Sequence, residues 1–245
     1  AIEKDPTYAP ALAALAMFYC HDMGASYEET YSRAASLASK AVQLDDTMAE
    51  AHLAEAHVSL RFRWDWSKAQ AEYRRAIELN PGNPDTHVAY GKYLSYMGRF
   101  DEALAAYKRA LKLDSINPNA SFSLGWTYGK ARRYDEAISY LRELLQMDPS
   151  RDLARYELSH AYARKGMYAQ AIAEAQKVEC WEGCGWVYGV SGRKAEAGAI
   201  IEGLIRDSKE RYIDPGYIAF TYAGLGERER ALEWLEKGYR ARARW

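Results

Sequence analysis

Small residues recur along this chain at a spacing that predicts pairs of closely packed helices. Within a unit of about 34 residues, two positions hold alanine, glycine or serine in every copy. A large residue, usually tyrosine, stands three residues after the first of these two positions. A larger side chain at the small positions would push two crossing helices apart. On the first helix of each pair these residues are Ala16, Ala56, Gly91, Gly125, Ser159, Gly185 and Ala219. On the second helix they are Ala34, Ala69, Ala103, Ala137, Ala171, Ala197 and Ala231.

Turn-forming residues separate the predicted helices. Glycines stand where first helices should end, a place that favours a left-handed residue. We expect Asp101 and Asp135, just after such turns, to cap the second helices. Pro81 and Pro149 follow second helices, which cannot continue through proline. The glycines at the expected ends of first helices are Gly98, Gly166, Gly192 and Gly226.

The repeated unit resembles the tetratricopeptide repeat family. A shift of 34 residues aligns Gly98-Arg99-Phe100-Asp101-Glu102-Ala103 with Arg132-Arg133-Tyr134-Asp135-Glu136-Ala137. The family pattern of Leu-Gly, Tyr, Ala, a large residue and Pro is matched best by Leu124-Gly125, Tyr128, Ala137, Leu141 and Pro149. The resemblance implies an all-α fold, a right-handed superhelical α-solenoid of helical hairpins, because hairpins of this kind bury their apolar faces by stacking.

Seven repeats fit the spacing, and we expect them to form one solenoid domain over residues 1–245. The first repeat carries about six extra residues around Met23–Glu28, and the second carries one extra residue near Trp64. The fifth is about eight residues short, so a break is most plausible near 177–182. The predicted repeats are 9–48, 49–83, 84–117, 118–151, 152–177, 178–211 and 212–245.

A narrower resemblance concerns particular phrases of sequence. Segments such as Trp64-Asp65-Trp66 and Ala231-Leu232-Glu233-Trp234-Leu235 resemble the repeat region attached to bacterial signalling proteins, namely winged-helix regulators, serine/threonine kinases and nucleotide cyclases. The resemblance implies a regulatory arm of a larger protein, from which these residues are a piece. A cytoplasmic location is expected, or a periplasmic one if the full-length protein has a membrane anchor before this region.

Composition excludes several classes of protein. A formal net charge of −1 argues against nucleic-acid binding, which usually needs a clearly basic domain. Three cysteines do not make a disulfide framework, and no apolar run approaches the roughly 20 residues of a membrane span. Tyrosine outnumbers phenylalanine by 20 to 5, which suits the many half-buried sites of a thin, extended protein.

The residues that bear reactive groups all have packing explanations. His52 and His87 fall one repeat apart, so their backbones should lie about one helix diameter, ~10 Å, from each other, too far for a shared zinc ion. Cys184 falls at a core position and Cys180 lies four residues before it. No nucleophile–base set or phosphate loop is visible. We therefore expect no cofactor, no metal and no catalytic site, and predict that the chain is not an enzyme.

A stripe along the first helices is the candidate binding surface. In this architecture first helices line a concave groove. The residue directly after each small position and the residue four positions further on form a stripe of aromatic and basic side chains with no acid. Exposed aromatic residues beside arginine are typical of recognition hot spots, and the positive charge favours an acidic partner. We expect Trp126, Lys130, His160 and Arg164 to form one patch. The predicted groove residues are His57, Arg61, Lys92, Tyr96, Trp126, Lys130, His160, Arg164 and Trp186.

Two functions remain open at this stage. The first is a protein-interaction module that binds a peptide or helix in the groove. Binding of chaperone tails is not expected, because Met17 and His57 stand where that subset of the family places asparagines. The alternative is a scaffolding segment that forms a homo-oligomer through the ends of the solenoid, where a basic terminal segment, Arg240–Trp245, would provide a polar cap weakened by Trp245.

Overall fold

The computed structural model describes residues 5–21, 27–178 and 183–240, and at 21 and 27–29 it describes the backbone alone. Within these residues the fold is all-α, with fourteen α-helices, one π-helical segment and no strand, which confirms the predicted class. The helices are α1 Ala9–His21, α2 Tyr27–Leu44, α3 Ala49–Val58, α4 Trp66–Leu79, α5 Pro84–Tyr96, α6 Phe100–Leu113, α7 Pro118–Lys130, α8 Tyr134–Met147, α9 Asp152–Arg164, α10 Tyr168–Ala175, α11 Gly185–Val190, α12 Lys194–Asp207, α13 Pro215–Leu225 and α14 Arg228–Arg240.

The chain divides into two compact units, Ala1–Leu124 and Gly125–Trp245, with the boundary inside α7. The division falls elsewhere than the break expected near 177–182. Each unit is built from hairpins of consecutive helices, such as α3 with α4 in the first unit and α13 with α14 in the second. The single solenoid domain and the seven repeat boundaries stay predictions.

Close helix crossings organise the first unit. Its six small positions on α1 to α6, from Ala16 to Ala103, are all buried. A Cβ added to Gly91 on α5 would lie 2.6 Å from a ring carbon of Tyr107 on α6, and Tyr107 is itself fully buried. The tyrosine ring therefore occupies the space that the glycine leaves, as the spacing predicts for a small residue at a crossing.

The second unit repeats this contact and adds one in which the glycine faces the backbone of another helix. A Cβ at Gly125 would lie 2.5 Å from Leu141, so its neighbour on α8 is Leu141 and not Ala137, the small residue one turn earlier. Between two other first helices, α11 and α13, a Cβ added to Gly189 would lie 2.7 Å from the backbone carbonyl carbon of Gly224. Two glycines thus let these helices approach almost backbone to backbone.

Most turns have the predicted geometry. All four glycines at the ends of first helices have positive φ, between 72° at Gly98 and 80° at Gly226. The predicted caps are wrong: the N-cap residues of α6 and α8 are Arg99 and Arg133, and Asp101 and Asp135 lie inside the first turn. Carboxylates in that turn interact favourably with the helix dipole without capping the helix.

The extra residue of the second repeat is absorbed inside a helix. Helix α3 runs directly into a π-helical segment, Ser59–Arg63, which ends at Trp64 in the left-handed conformation with φ 54°. A π-helical turn holds one more residue than an α-helical turn. Beside it lies the buried carboxylate of Glu55, which pairs with Arg63 and with Lys68 at 2.5 Å.

The histidines outside the groove have structural roles. His52 bonds the Glu72 carboxylate at 2.6 Å and the Asp46 carbonyl at 2.9 Å, and His87 bonds the Pro81 carbonyl at 3.0 Å. Each imidazole therefore ties the loop before its helix to the helix itself. Cys184 is buried in the core, as expected. The segment 22–26, Cys180 and Trp245 lie outside the described residues.

Candidate partner-binding pocket

Four of the predicted groove residues lie in the first unit. His57 is partly buried with its ring edge against Tyr73, 5.7 Å between centroids, and Arg61 is part of the π-helical segment. Lys92 and Tyr96 are exposed on α5. Desolvation and then the charge of Arg61 lower the pKa of Lys92, so two cations lie close together. Such an arrangement favours an anion between them.

The second unit contains a pocket of about 370 Å³. It is built by the C-terminal part of α7, the turn and start of α8, one face of α9, and α13. The four residues expected to form one patch, Trp126, Lys130, His160 and Arg164, all line it. Its other lining residues are Gly125, Gly129, Arg132, Tyr134, Ala137, Tyr156, Glu157, Ala161 and Phe220.

An aromatic stack supports one wall. The rings of His160, Trp186 and Phe220 are nearly parallel, with centroids 5.0 Å apart for His160–Trp186 and 5.4 Å for Trp186–Phe220. Trp186 is only 7 % exposed and does not line the pocket, although the sequence places it on the groove. Phe220 presents an exposed edge, and the Arg164 guanidinium lies 4.2 Å from the centre of the Trp186 ring. The stack therefore fixes the position of Arg164.

Trp126 forms an apolar wall of the pocket beside Lys130. Its ring is partly exposed, and the ammonium of Lys130, one turn further along α7, lies 5.1 Å from the ring centre. Lys130 and Arg164 thus both lie against indole faces, a favourable contact that also restrains a flexible side chain. A partner would find these charges already positioned, which reduces the entropy cost of binding.

The pocket also holds an acid that the stripe of first-helix positions does not include. Glu157 lines it, and its carboxylate forms no hydrogen bond or ion pair within the described part of the chain. Desolvation raises the pKa of Glu157 to about 7, against the opposing influence of Lys130. Its counterparts one repeat before and after are Ser123 and Gly183, both buried. The sequence signal for Glu157 is therefore an acid at a position that holds small residues in the neighbouring repeats.

His160 is held neutral in this setting. Burial lowers the pKa of His160 to about 3, and the charges of Arg164 and Lys130 act in the same direction, while a hydrogen bond to the Gly183 backbone opposes them. Its Nε2 atom is buried without a hydrogen-bond partner in the described residues. The imidazole therefore acts as an apolar ring in the stack and adds no positive charge to the pocket.

Comparison with family models identifies the repeats. Three models described as TPR repeat or tetratricopeptide repeat match residues 72–105, 91–131 and 130–179. Residues 72–179 of this chain are therefore similar to tetratricopeptide repeats. The models cover α5 to α10 and most of α4, including much of the pocket. A search of curated protein sequences gives no significant match.

Solved structures of tetratricopeptide repeat proteins share the fold. A tetratricopeptide repeat protein from Parabacteroides merdae is 15% identical with a TM-score of 0.66, covering 95% of this chain and 93% of its own. Pseudomonas aeruginosa pilF is 20% identical with a TM-score of 0.64, covering 83% and 93%. YrrB, described as having an unusual peptide-binding site, is 22% identical with a TM-score of 0.53, covering 72% and 91%.

No helix in the described part of the chain combines the length and the apolar character needed to cross a membrane. Among the same residues, no three His, Cys, Asp or Glu side chains come together as a metal site would require. The pocket offers two apolar walls and a cationic rim, an arrangement suited to holding a side chain and a negatively charged group of another molecule.

Proposed function

We propose that this tetratricopeptide repeat chain is a non-catalytic protein-interaction module that binds a peptide or helix of acidic character along its first helices. The observation that carries the proposal is the pocket of the second unit, where Trp126 and Phe220 offer apolar surface beside the exposed cations Lys130 and Arg164. Buried aromatic anchors ringed by arginine dominate the energetics of protein interfaces. The family is generally one of interaction modules, and YrrB is described as a peptide-binding member.

A display selection tests this function directly. A library of random twelve-residue peptides is selected on the immobilised chain, and the affinity of enriched peptides is measured by fluorescence polarisation. We expect enrichment in Asp and Glu, and a loss of at least about thirtyfold in affinity for the double variant Trp126→Ala, Arg164→Ala. The matched control is Trp66→Ala with Arg206→Ala, which removes an exposed tryptophan and an exposed arginine that do not line the pocket.

The two possible results are distinguishable. Circular dichroism and thermal unfolding should be nearly the same for both double variants and the parent chain, since the substituted side chains other than Trp126 are exposed. If the pocket variant retains every enriched peptide with parental affinity, the pocket is only a solvated surface. The recognition surface would then lie on the first unit or on the second helices.

The larger setting proposed for this module is a regulatory arm of a bacterial signalling protein, in the cytoplasm. It rests on the phrases of sequence around Trp64 and Trp234. The coding sequence upstream of Ala1 tests it. A winged-helix, kinase or cyclase domain in the same reading frame supports the proposal, and an intact unrelated protein there contradicts it.

A second candidate function, self-association, is favoured by exposed apolar residues on α1 and α14. Phe18 is 62% exposed, although its counterparts in later repeats, such as Tyr93 and Val187, are buried. Leu235 is 42% exposed, although its counterparts Tyr73 and Leu141 are buried. Within the chain, the counterpart of Leu235 packs against the counterpart of Phe18 in the next hairpin. The rings of Tyr73 and Tyr93 lie 5.7 Å apart. Phe18 of one copy is therefore suited to cover Leu235 of another.

Such an interface joins different surfaces of two copies, so it would propagate into chains or rings. Sedimentation velocity should show concentration-dependent species larger than a dimer for the parent chain. Phe18→Glu and Leu235→Glu should each be monomeric alone, and their mixture should form a dimer and nothing larger, because each variant keeps one intact surface. A parent chain that stays monomeric at high concentration rules out this function.

A further inference from the structure

The turn between α7 and α8 contains an arginine where four of the matching turns contain glycine and the turn before α4 contains Trp64. Arg132 has a φ of 59°, and the corresponding Gly98, Gly166, Gly192 and Gly226 have φ values from 72° to 80°. The left-handed region is accessible to glycine but is sterically unfavourable for a residue with a Cβ. The chain therefore keeps a strained backbone at this turn, as it also does at Trp64, and such strain often persists at functional sites.

The hairpin itself does not account for this arginine. Its neighbour Arg133 bonds Glu136 at 2.8 Å, and the corresponding pair Arg99–Glu102 recurs one repeat earlier. Arg133 is thus part of the repeated turn structure. The side chain of Arg132, in contrast, is exposed and makes no hydrogen bond or ion pair with any described residue. Nothing in the fold of the turn is stabilised by its side chain.

Arg132 lines the pocket described above, together with Lys130 and Arg164. All three are exposed, and none of them forms an ion pair within the described residues. The acid among the lining residues is Glu157, so three cations surround one carboxyl group. Three unpaired cations at one opening attract a carboxylate strongly and repel an amine.

We propose that Arg132 is a partner-contacting residue and that it binds, together with Lys130 and Arg164, a carboxylate group of a peptide. This inference rests on the proposed function of the pocket. The strained turn places a guanidinium at the edge of the pocket, where a glycine would leave only backbone. Arginine suits the task because its planar donors bind a carboxylate through two parallel hydrogen bonds.

The carboxylate can come from an acidic side chain or from a peptide C-terminus, and three synthetic peptides of glutamate, glutamine and leucine distinguish the sources. One carries glutamates and an amidated C-terminus, the second replaces the glutamates by glutamine and has a free C-terminus, and the third has neither carboxylate. Binding to the parent chain is measured by isothermal titration calorimetry. We expect one of the first two to bind and the third to fail. Failure of both carboxylate peptides overturns the inference.

The decisive variant is Arg132→Gly, for which affinity and stability should change in opposite directions. Loss of the charged contact should weaken binding of the carboxylate peptide about tenfold. Relief of the strained backbone should raise the melting temperature by about 2–4 °C. Trp64→Gly is the matched control, because Trp64 has the other positive φ of a non-glycine residue and lies outside the pocket. It should raise the melting temperature and leave binding unchanged.

The outcomes separate this inference from the function on which it rests. Unchanged affinity in Arg132→Gly, with binding still lost in the Trp126→Ala, Arg164→Ala variant, overturns the role of Arg132 and leaves the pocket function intact. Unchanged affinity in both variants overturns the pocket function as well. Arg132→Lys should keep part of the affinity, because it preserves the charge without the paired geometry, and a lysine variant that binds no better than the glycine variant would contradict an attraction between charges.

Discussion

The ring of Tyr107 occupies the place beside Gly91 where any other residue would put its Cβ, with 2.6 Å between the two positions. Gly125 and Leu141 stand in the same relation 34 residues later, at 2.5 Å. The same contact is thus made by an aromatic ring in the first unit and by a branched aliphatic chain in the second. Close packing at this crossing therefore requires a glycine on one helix but accepts different large residues on the other.

We therefore expect Gly91→Ala to lower the free energy of unfolding by about 1–3 kcal/mol, the usual effect of overpacking a core contact. Denaturant unfolding measures the change. The control is Gly198→Ala in α12, where an added Cβ meets no atom within 4 Å. That variant should gain up to about 1 kcal/mol, because alanine is the better helix former. Equal effects at the two positions would show that the crossing is not tight.

Glu55 holds the π-helical segment in place, and its removal should destabilise the first unit. Its carboxylate is buried and contacts Arg63, Lys68 and Ser39. Both cations can still reach water when the carboxylate is gone, so Glu55→Gln should cost about 1–3 kcal/mol, less than a fully buried pair. Glu78→Gln, at an exposed pair with Arg75, should cost less than about 0.5 kcal/mol. Similar losses in both variants would argue against the role of Glu55.

Carboxylate binding to the pocket should strengthen as the pH falls from 8 to 6. The pKa of Glu157 is about 7, so its negative charge, which opposes a bound carboxylate, is lost over this interval. Arg132 and Arg164 stay charged throughout, and His160 stays neutral because its pKa is about 3. Affinity for the carboxylate peptide should rise about tenfold, following the protonated fraction of a group that titrates near 7. In Glu157→Gln the affinity should be high and nearly independent of pH, and a persisting dependence would assign it to another group.

Acid stability should depend on His160. Its pKa falls from an ordinary 6.5 to about 3 in the folded chain, so the unfolded chain binds a proton more readily between these values. The contribution of His160 to stability is present in full above pH 6.5 and is lost as the pH falls toward 3. His160→Gln should flatten the decline of the unfolding free energy between pH 6.5 and 4. His52→Gln is the comparison, since His52 is hydrogen-bonded through both ring nitrogens and lies in the first unit.

The sequence predicts the hairpins because each small residue marks a local event, the contact between two helices that are consecutive in the chain. It also brings Trp126, Lys130, His160 and Arg164 together, since residues four apart share a helix face. It misplaces Trp186, because exposure depends on the neighbouring helix, and two glycines bring α13 close to α11. It misses Glu157, an acid at a position where the neighbouring repeats have small residues, and Arg132, an arginine at a position where most repeats have glycine. Differences between repeats, more than their common features, indicate the site.

The π-helical segment has a consequence for the rest of the chain. Ala56 and Ala69 are 13 residues apart, while Gly91 and Ala103 are 12 apart, and the distance from Ala69 to Gly91 is the same 22 residues that separates Ala103 from Gly125. The extra residue is therefore accommodated within one helical turn, and the spacing of the later hairpins is unchanged. Such an insertion needs no compensating substitutions downstream, so a repeat array can acquire a residue in a single evolutionary step.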